Sequence, residues 1–311
     1  MAPVVVRYRG NWFDVSSFLE EHPGGPDLIL PYNGKDVEEI MSDPISHKHS
    51  QAAYEILREY ILSDSGSVAK TLPSSKEDFL DLNQPLLYQV WSGGFSKAYY
   101  LDRVHRPRHY ALGSPRIFAS PLLEPLSKTP WYVVPTIWFP MIALVTRIAS
   151  HHLPPILLAL FWFTGLFLWT LIEYGMHRFL FHIDHWLPDN RVSITLHFLL
   201  HGVHHFLPMD HLRLVMPPTL LVVLSFPFYR LAHLVFPYYP ALAVFAGGIC
   251  GYVLYDMTHY FLHHKRLPSF FADVKSYHLR HHYENYEAGF GVTSRFWDNI
   301  FGTALVTLKT A

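Results

Sequence analysis

Four stretches of this chain are apolar over close to twenty residues each, at 131–150, 154–176, 214–236 and 239–260. A membrane crossing takes about 20 mostly apolar residues, so each stretch reads as a spanning helix. The second carries no charge from Pro154 through Ile172. The third is interrupted by Pro217, Pro218, Pro227, Arg230 and His233, which are tolerated where neighbouring helices satisfy the backbone. Ahead of these runs, residues 1–64 read as a small polar domain. Asp14 or Ser16 is placed to start a short helix, and Pro23-Gly24-Gly25-Pro26 makes a sharp turn. From Ser50 to Ile61 the residues Ala53, Ile56, Leu57, Tyr60 and Ile61 recur at the spacing of an amphipathic helix. Residues 63–82 have linker composition. Residues 85–128 are mixed, with a basic stretch around Arg103, Arg106, Arg108 and Arg116.

Composition supports the membrane reading, since half of the 311 residues are apolar and 16% are aromatic. The near-zero net charge hides an asymmetry. Residues 1–85 carry 14 Asp/Glu against 7 Lys/Arg, a net of −7, and residues 86–311 carry 11 against 17, a net of +6. An acidic head on a basic body suits electrostatic docking. The single cysteine, Cys250, excludes disulfides within the chain and all but excludes thiolate metal sites. The N-terminus lacks the apolar core of a signal peptide, so insertion is expected to use internal segments. Four crossings put residues 1–130, 177–213 and 261–311 on one side of the membrane. Lys97, Arg103, Arg106, Arg108, Arg116, Arg178, Arg191, Arg213, Lys265 and Arg266 all fall there, which makes that side cytosolic by the positive-inside rule. An unpaired cysteine agrees with a cytosolic face.

Fifteen of the 22 histidines lie between residues 177 and 282, on that same side for the most part. They cluster as His177/His182, His201/His204/His205, His259/His263/His264 and His278/His281/His282. Neutral imidazole is the commonest protein ligand of transition metals. Residues three or four apart share a helix face, so each close set is expected to aim at one place. His177 and His182, five apart, point differently on a regular helix. Either the helix ends near Phe179–Phe181, or the two serve different metals. Ten histidines suit two ions with five nitrogens each. His185, His197, His211 and His264 are candidates for orienting the ligands. His151, His152 and His233 are expected on the opposite side or on a helix surface. Glu173, at the end of an apolar span, is a partner either for a ligand imidazole or for helix packing.

Two stretches carry a family resemblance. His22-Pro23-Gly24-Gly25, preceded by Trp12-Phe13-Asp14-Val15-Ser16-Ser17-Phe18 and followed by Gly34-Lys35-Asp36-Val37 and His49-Ser50, resembles the cytochrome b5 family. The resemblance implies haem b held by His22 and a second imidazole. His47 and His49 are both available, and His49 takes the family's position before Ser-Gln-Ala-Ala-Tyr. Two imidazoles leave no open iron site, which favours electron transfer over oxygen chemistry. The second stretch spans Glu173-Tyr-Gly-Met-His177-Arg-Phe-Leu-Phe-His182, His201-Gly-Val-His204-His205 and Asp256-Met-Thr-His259-Tyr-Phe-Leu-His263. With the set at 278–282 it resembles the fatty acid 2-hydroxylase branch of the fatty acid hydroxylase superfamily, which also carries a cytochrome b5 domain.

That second resemblance implies an O2-dependent monooxygenase acting on C2 of a fatty acyl chain, on ceramide or its long-chain fatty acid precursor, in the endoplasmic reticulum membrane with both termini cytosolic. Its implied metal ligands are His177, His182, His201, His204, His205, His259, His263, His278, His281 and His282. The ions are iron in the active enzyme, with zinc possible on isolation because all-nitrogen ligation suits both. Electrons are expected from NADPH or NADH through a cytochrome b5 reductase-type partner, and no nucleic-acid partner is expected. Aromatic residues around 181–186 and 283–297 are candidates for walls of the substrate cleft. The competing readings are a cytochrome b5-fused lipid desaturase, which ordinarily lacks a separate His259/His263 pair, and a metal transporter with a haem domain, which would place ligands near the bilayer midplane. The predicted architecture is an α+β cytochrome b5-like domain (1–64), a linker and membrane-proximal segment (65–128), and an all-α membrane domain (129–311). That last domain carries four transmembrane helices and a cytosolic helical histidine-rich cap.

Overall fold

The computed structural model describes residues 3–19, 22, 26–43, 49, 51–62, 79–110, 113–264 and 267–305. Its first unit opens on an antiparallel hairpin of β1 (Val5–Tyr8) and β2 (Asn11–Asp14), with Val6 opposite Phe13. Arg9 and Gly10 join them at φ 47° and 81°, the pair of positive angles that a two-residue hairpin turn requires. The expected helix at Asp14 or Ser16 does not form. Asp14 instead accepts the Ser16 N–H and hydroxyl while Ser16 Oγ accepts the Val4 N–H, so the side chain closes a turn. Helices α1 (Glu38–Ser42) and α2 (Gln51–Arg58) follow. The second ends before Ile61 because Ile61 bridges Phe13 and the Leu62 N–H donates to the Trp12 carbonyl. Val4, Val6, Phe13, Val15, Val37, Ile56, Leu57 and Tyr60 make this unit's core. The turn residues Pro23–Gly25, the linker 63–78 and His47 lie outside the described residues.

The remainder is helical: α3 (Leu86–Ser92), α4 (Lys97–Val104), α5 (Val133–Ser150), α6 (Pro155–Met176), α7 (Arg191–His197), α8 (Val203–Phe206), α9 (Pro218–Val235), α10 (Tyr238–His264), α11 (Ala272–Tyr283) and α12 (Phe296–Phe301). Helices α5, α6 with its continuation to Phe181, α9 and α10 are long and apolar enough to cross a membrane. α9 begins at Pro218 rather than at 214, because Pro217 is extended and a proline can open but not continue a helix. α10 runs past 260 to His264, carrying His259 and His263 on one continuous helix. It packs against α5, α6, α9 and α11 and is the central element. Its contact with α6 is close: a methyl group on Gly165 would strike the Val244 carbonyl, and one on Gly247 the Trp162 carbonyl. Small residues at such crossings let helix backbones meet in a membrane. At one end of the bundle, α3, α4, α7 and α8 share a second core with Phe79, Leu80 and Ile117.

Candidate metal centre

α6 does not stop at its apolar end. It passes into a π-helical turn, His177–Phe181, in which the His182 N–H donates to the His177 carbonyl at 3.0 Å. An i→i+5 bond brings residues five apart to the same side, and single π turns recur at functional sites. The helical run ends at Phe181, as the first alternative expected, with the π turn as its last turn; the two rings lie 4.9 Å apart in one cluster rather than in two. A second π turn, Phe198–Gly202, carries His201.

The ten histidines meet in two adjoining groups. His204, His259, His263, His278 and His282 form one; His177, His182, His205 and His281 form the other, with His201 Nε2 at 3.2 Å from His177 and 3.1 Å from His205. All ten are buried. Two of the close sets are divided, while His259 and His263 stay together. His201 and His205 share a group while His204 joins the other, and His278 and His282 share a group while His281 leaves it. The i,i+4 pairs stay together because they are only about 40° apart around a helix of 3.6 residues per turn. The residue between turns inward toward the neighbouring group.

Contacts inside both groups run from one Nε2 to another at 2.9–3.2 Å. Nitrogens bound at right angles to one ion at about 2.1 Å would stand about 3.0 Å apart. The outward nitrogens explain which atom is left bare. His281 Nδ1 donates to the Ala288 carbonyl at 2.8 Å and His182 Nδ1 donates to Asp184 at 3.3 Å, so neither Nε2 carries a proton. Those two Nε2 atoms nevertheless face each other at 3.1 Å, lone pair toward lone pair, an arrangement that calls for a cation between them. His177 Nδ1 likewise donates to the Phe290 carbonyl at 2.6 Å. His259 Nε2 is buried with no partner among the described residues.

Burial first, and neighbouring imidazoles second, hold His201, His205, His278, His281 and His282 well below the ordinary histidine range. His182 and His204 are pushed down to about 3, chiefly by burial. All are therefore neutral near pH 7, the form that binds metal. Burial works against the charge of Asp184, but hydrogen bonds from His182 and His197 keep its carboxyl well below the usual range.

Of the four candidate orienting histidines, His197 takes that role. Its Nε2 stands 3.1 Å from the Asp184 carboxylate while its Nδ1 accepts the Tyr100 hydroxyl at 2.7 Å, so a file from Tyr100 through His197 and Asp184 backs the His182 ring. His185 and His211 are exposed, and His264 packs against Tyr260. His151 and His152 are exposed at the far end of α5, and His233 packs between Tyr229 and Tyr238. Glu173 is no partner of an imidazole. It accepts the Thr293 N–H and hydroxyl, pinning the 290–293 loop that supplies the Phe290 carbonyl. Asp298 accepts the N–H groups of Phe290 and Gly291 from the other side. Asp184, Asp298 and His105, whose ring stacks on Tyr286 at 3.6 Å, escaped sequence reasoning because no spacing ties them to the histidines.

Of the aromatic candidates, Phe181 stacks on His201 and Phe290 packs on His182, whereas Trp186 is exposed and Trp297 donates to Thr170. A cavity of 250 Å³ lies instead between α6, α9 and α10, lined among others by Trp169, Ile172, Met176, Met216, Phe228 and Phe245. Met176 directly precedes His177, so the cavity runs up to the base of the histidine groups.

In the N-terminal unit, the His22 and His49 rings stand 6.4 Å apart, 31° from parallel. Two metal–nitrogen bonds of about 2 Å, with about 1.2 Å from each nitrogen to its ring centre, span about 6.4 Å. His49 Nδ1 donates to the Met41 carbonyl at 3.2 Å, which fixes the orientation of its ring. The pair fits a haem between them.

Comparison with known proteins agrees with both sites. Residues 2–65 match the cytochrome b5-like haem/steroid binding domain and residues 162–303 the fatty acid hydroxylase family. The chain is 47% identical to the ceramide very long chain fatty acid hydroxylase SCS7 of Saccharomyces cerevisiae, over 94% of this chain and 88% of that protein. It is 35% identical to the fatty acid 2-hydroxylase of Mus musculus, over 96% and 91%. With the dihydroceramide fatty acyl 2-hydroxylase FAH2 of Arabidopsis thaliana it shares 43% over 72% and 92%. A solved structure of full-length Scs7p, in which only the hydroxylase domain is visible, superposes with a TM-score of 0.72 at 54% identity, covering 74% of this chain and 87% of that one.

Proposed function

The chain belongs to the fatty acid 2-hydroxylase family with a fused cytochrome b5 domain, and on that footing we propose that it hydroxylates C2 of the fatty acyl chain of ceramide or of its fatty acid precursor. The domain divisions that accompany this reading are 1–64, 65–128 and 129–311. One ion is assigned to His204, His259, His263, His278 and His282, and the other to His177, His182, His201, His205 and His281. Haem b is assigned to His22 and His49. Iron in the two sites would supply O2 activation and transfer of one oxygen atom into a C–H bond, with two electrons from NADPH or NADH reaching it through a reductase and the haem.

The observation that carries the metal assignment is the pair of bare Nε2 atoms of His182 and His281 facing each other at 3.1 Å in a fully buried site. Around them the chain's own residues do three things. Carbonyls of Phe290 and Ala288 and the Asp184 carboxylate hold the protons on the outer nitrogens, fixing ring orientation. Burial keeps the imidazoles neutral and water out. The apolar cavity below Met176 holds the acyl chain, so that C2 rather than a later methylene comes to the metal. We assign the protein to the endoplasmic reticulum membrane with both termini and the histidine groups cytosolic, a reading supported by four helices long enough to span a membrane and by the positive-inside rule.

Lipid profiling of cells with and without the chain tests this directly. 2-Hydroxy ceramides should appear with the chain and vanish with His204→Ala. A new double bond in place of the hydroxyl would make it a desaturase, and metal flux with no lipid product would make it a transporter.

A further inference from the structure

His109 bridges the two redox units. His109 is 2% exposed, and both its ring nitrogens are engaged. Nδ1 lies 3.2 Å from the Tyr60 hydroxyl of the N-terminal unit, and Nε2 lies 2.8 Å from the Tyr283 hydroxyl at the end of α11. On the haem side the Phe18 ring packs edge-on against His109 at 5.2 Å and against His22 at 5.8 Å. On the metal side Tyr283 is bonded through the backbone to His282, and α11 also carries His278 and His281. Beside this file, Arg108 donates to the buried Glu59 carboxylate at 2.6 Å. Holding two domains together needs only apolar contact, and burying polar groups is costly unless each finds a partner. Here the buried rings of Tyr60 and His109 and the half-buried Tyr283 are matched by hydrogen bonds between the two cofactor sites.

We propose that the file His22–Phe18–His109–Tyr283–His282 is the passage by which electrons cross from the N-terminal haem to the histidine centre, an inference that rests on the function proposed above. Electronic coupling falls least through covalent and hydrogen bonds and most across empty gaps, and this file is continuous by ring contact, hydrogen bond and backbone. Each turnover consumes one acyl C–H, one O2, two electrons and two protons, and yields the C–OH group and one water. Each electron leaves ferrous haem iron, which becomes ferric and is reduced again by an external nicotinamide-dependent reductase. His109 and Tyr283 are neither oxidised nor deprotonated overall.

The test uses the full chain, loaded with haem and iron. The haem is reduced first and then mixed with O2 and ceramide, and its re-oxidation is followed by absorbance. His109→Leu and Tyr283→Phe each break a hydrogen bond of the file and should slow re-oxidation about tenfold, with His109→Gln falling between them and wild type. Haem content, iron content and the rate of haem reduction by the reductase should stay at wild-type values. Hydrogen peroxide, which supplies oxygen and both electrons without the haem, should drive product formation by His109→Leu at the wild-type rate. Wild-type re-oxidation in both variants overturns the passage while leaving the function intact. Loss of peroxide-driven turnover along with re-oxidation makes His109 a folding residue and overturns it equally. A wild-type chain whose haem ignores ceramide and forms no 2-hydroxy product overturns the function itself.

Discussion

A neutral imidazole has one nitrogen with a proton and one without, and the partner of the first decides which is which. That choice is what suits ten buried histidines to holding metal rather than to packing alone. For His182 the deciding partner is Asp184, itself held by His197 and Tyr100. Asp184→Asn keeps the shape and removes the charge. It should weaken the ion assigned to the His182 group about 10–100-fold and leave the other unchanged, as read by metal content during chelator titration. Equal retention of both ions would reduce Asp184 to packing. Protonation acts on the same atoms. His182 and His204 sit near 3 against an ordinary 6.5, so the unfolded chain takes up protons that the fold refuses. Stability of the metal-free protein is therefore fully present above about pH 6.5 and lost as pH falls toward 3. Its thermal midpoint should be level at neutral pH and drop on acidification; a midpoint that rises in acid contradicts the buried neutral state.

At the scale of elements, the π turn at the end of α6 decides which way His182 faces. One residue in excess of a regular turn carries the chain from His177 to His182 on one side of the helix. Inserting an alanine after Leu180 should set the two histidines six apart, swing His182 out of its group and lower the bound metal from about two ions per chain to about one. Haem content should not change, because the N-terminal unit does not depend on that turn. Two ions retained after the insertion would show that the register of this turn is incidental. The same logic of a single register governs the α6–α10 pair, where Gly165 and Gly247 admit the facing carbonyls and so fix the height of His177 relative to His259.

In the whole molecule, the haem unit docks on the end of the bundle where the histidines gather. Its acidic surface and the basic body meet at one buried ion pair, Glu59 with Arg108. Burial pushes Glu59 up to about 7 in spite of Arg108, so the carboxylate has little support without it. Arg108→Ala should loosen docking by about 3 kcal/mol, the cost of leaving one buried charge without its partner. Hydrogen exchange would report this as faster exchange in α2 and around residue 109, with the membrane helices unaffected. No change in α2 would place the docking energy in the apolar contacts of Phe18 and Tyr283 instead.

Much of this protein is legible in its residues. Apolar length alone marks the four spanning helices, because hydrocarbon demands it, and the cytochrome b5 resemblance around His22 and His49 marks the haem unit. The count of ten histidines and their division by two also follow from residue types. Grouping does not. Helical spacing puts His201, His204 and His205 on one face, yet whether a ring turns to one ion or the other depends on the neighbouring helix that meets it. The π turn is equally hidden, since it is a backbone adjustment made where α6 must satisfy both the membrane and the site. Asp184, His197, His105 and His109 act across 49 to 174 residues of sequence or through a second side chain. Local pattern records which elements form and what chemistry they carry. Only packing decides which atoms of distant elements come within a hydrogen bond of each other.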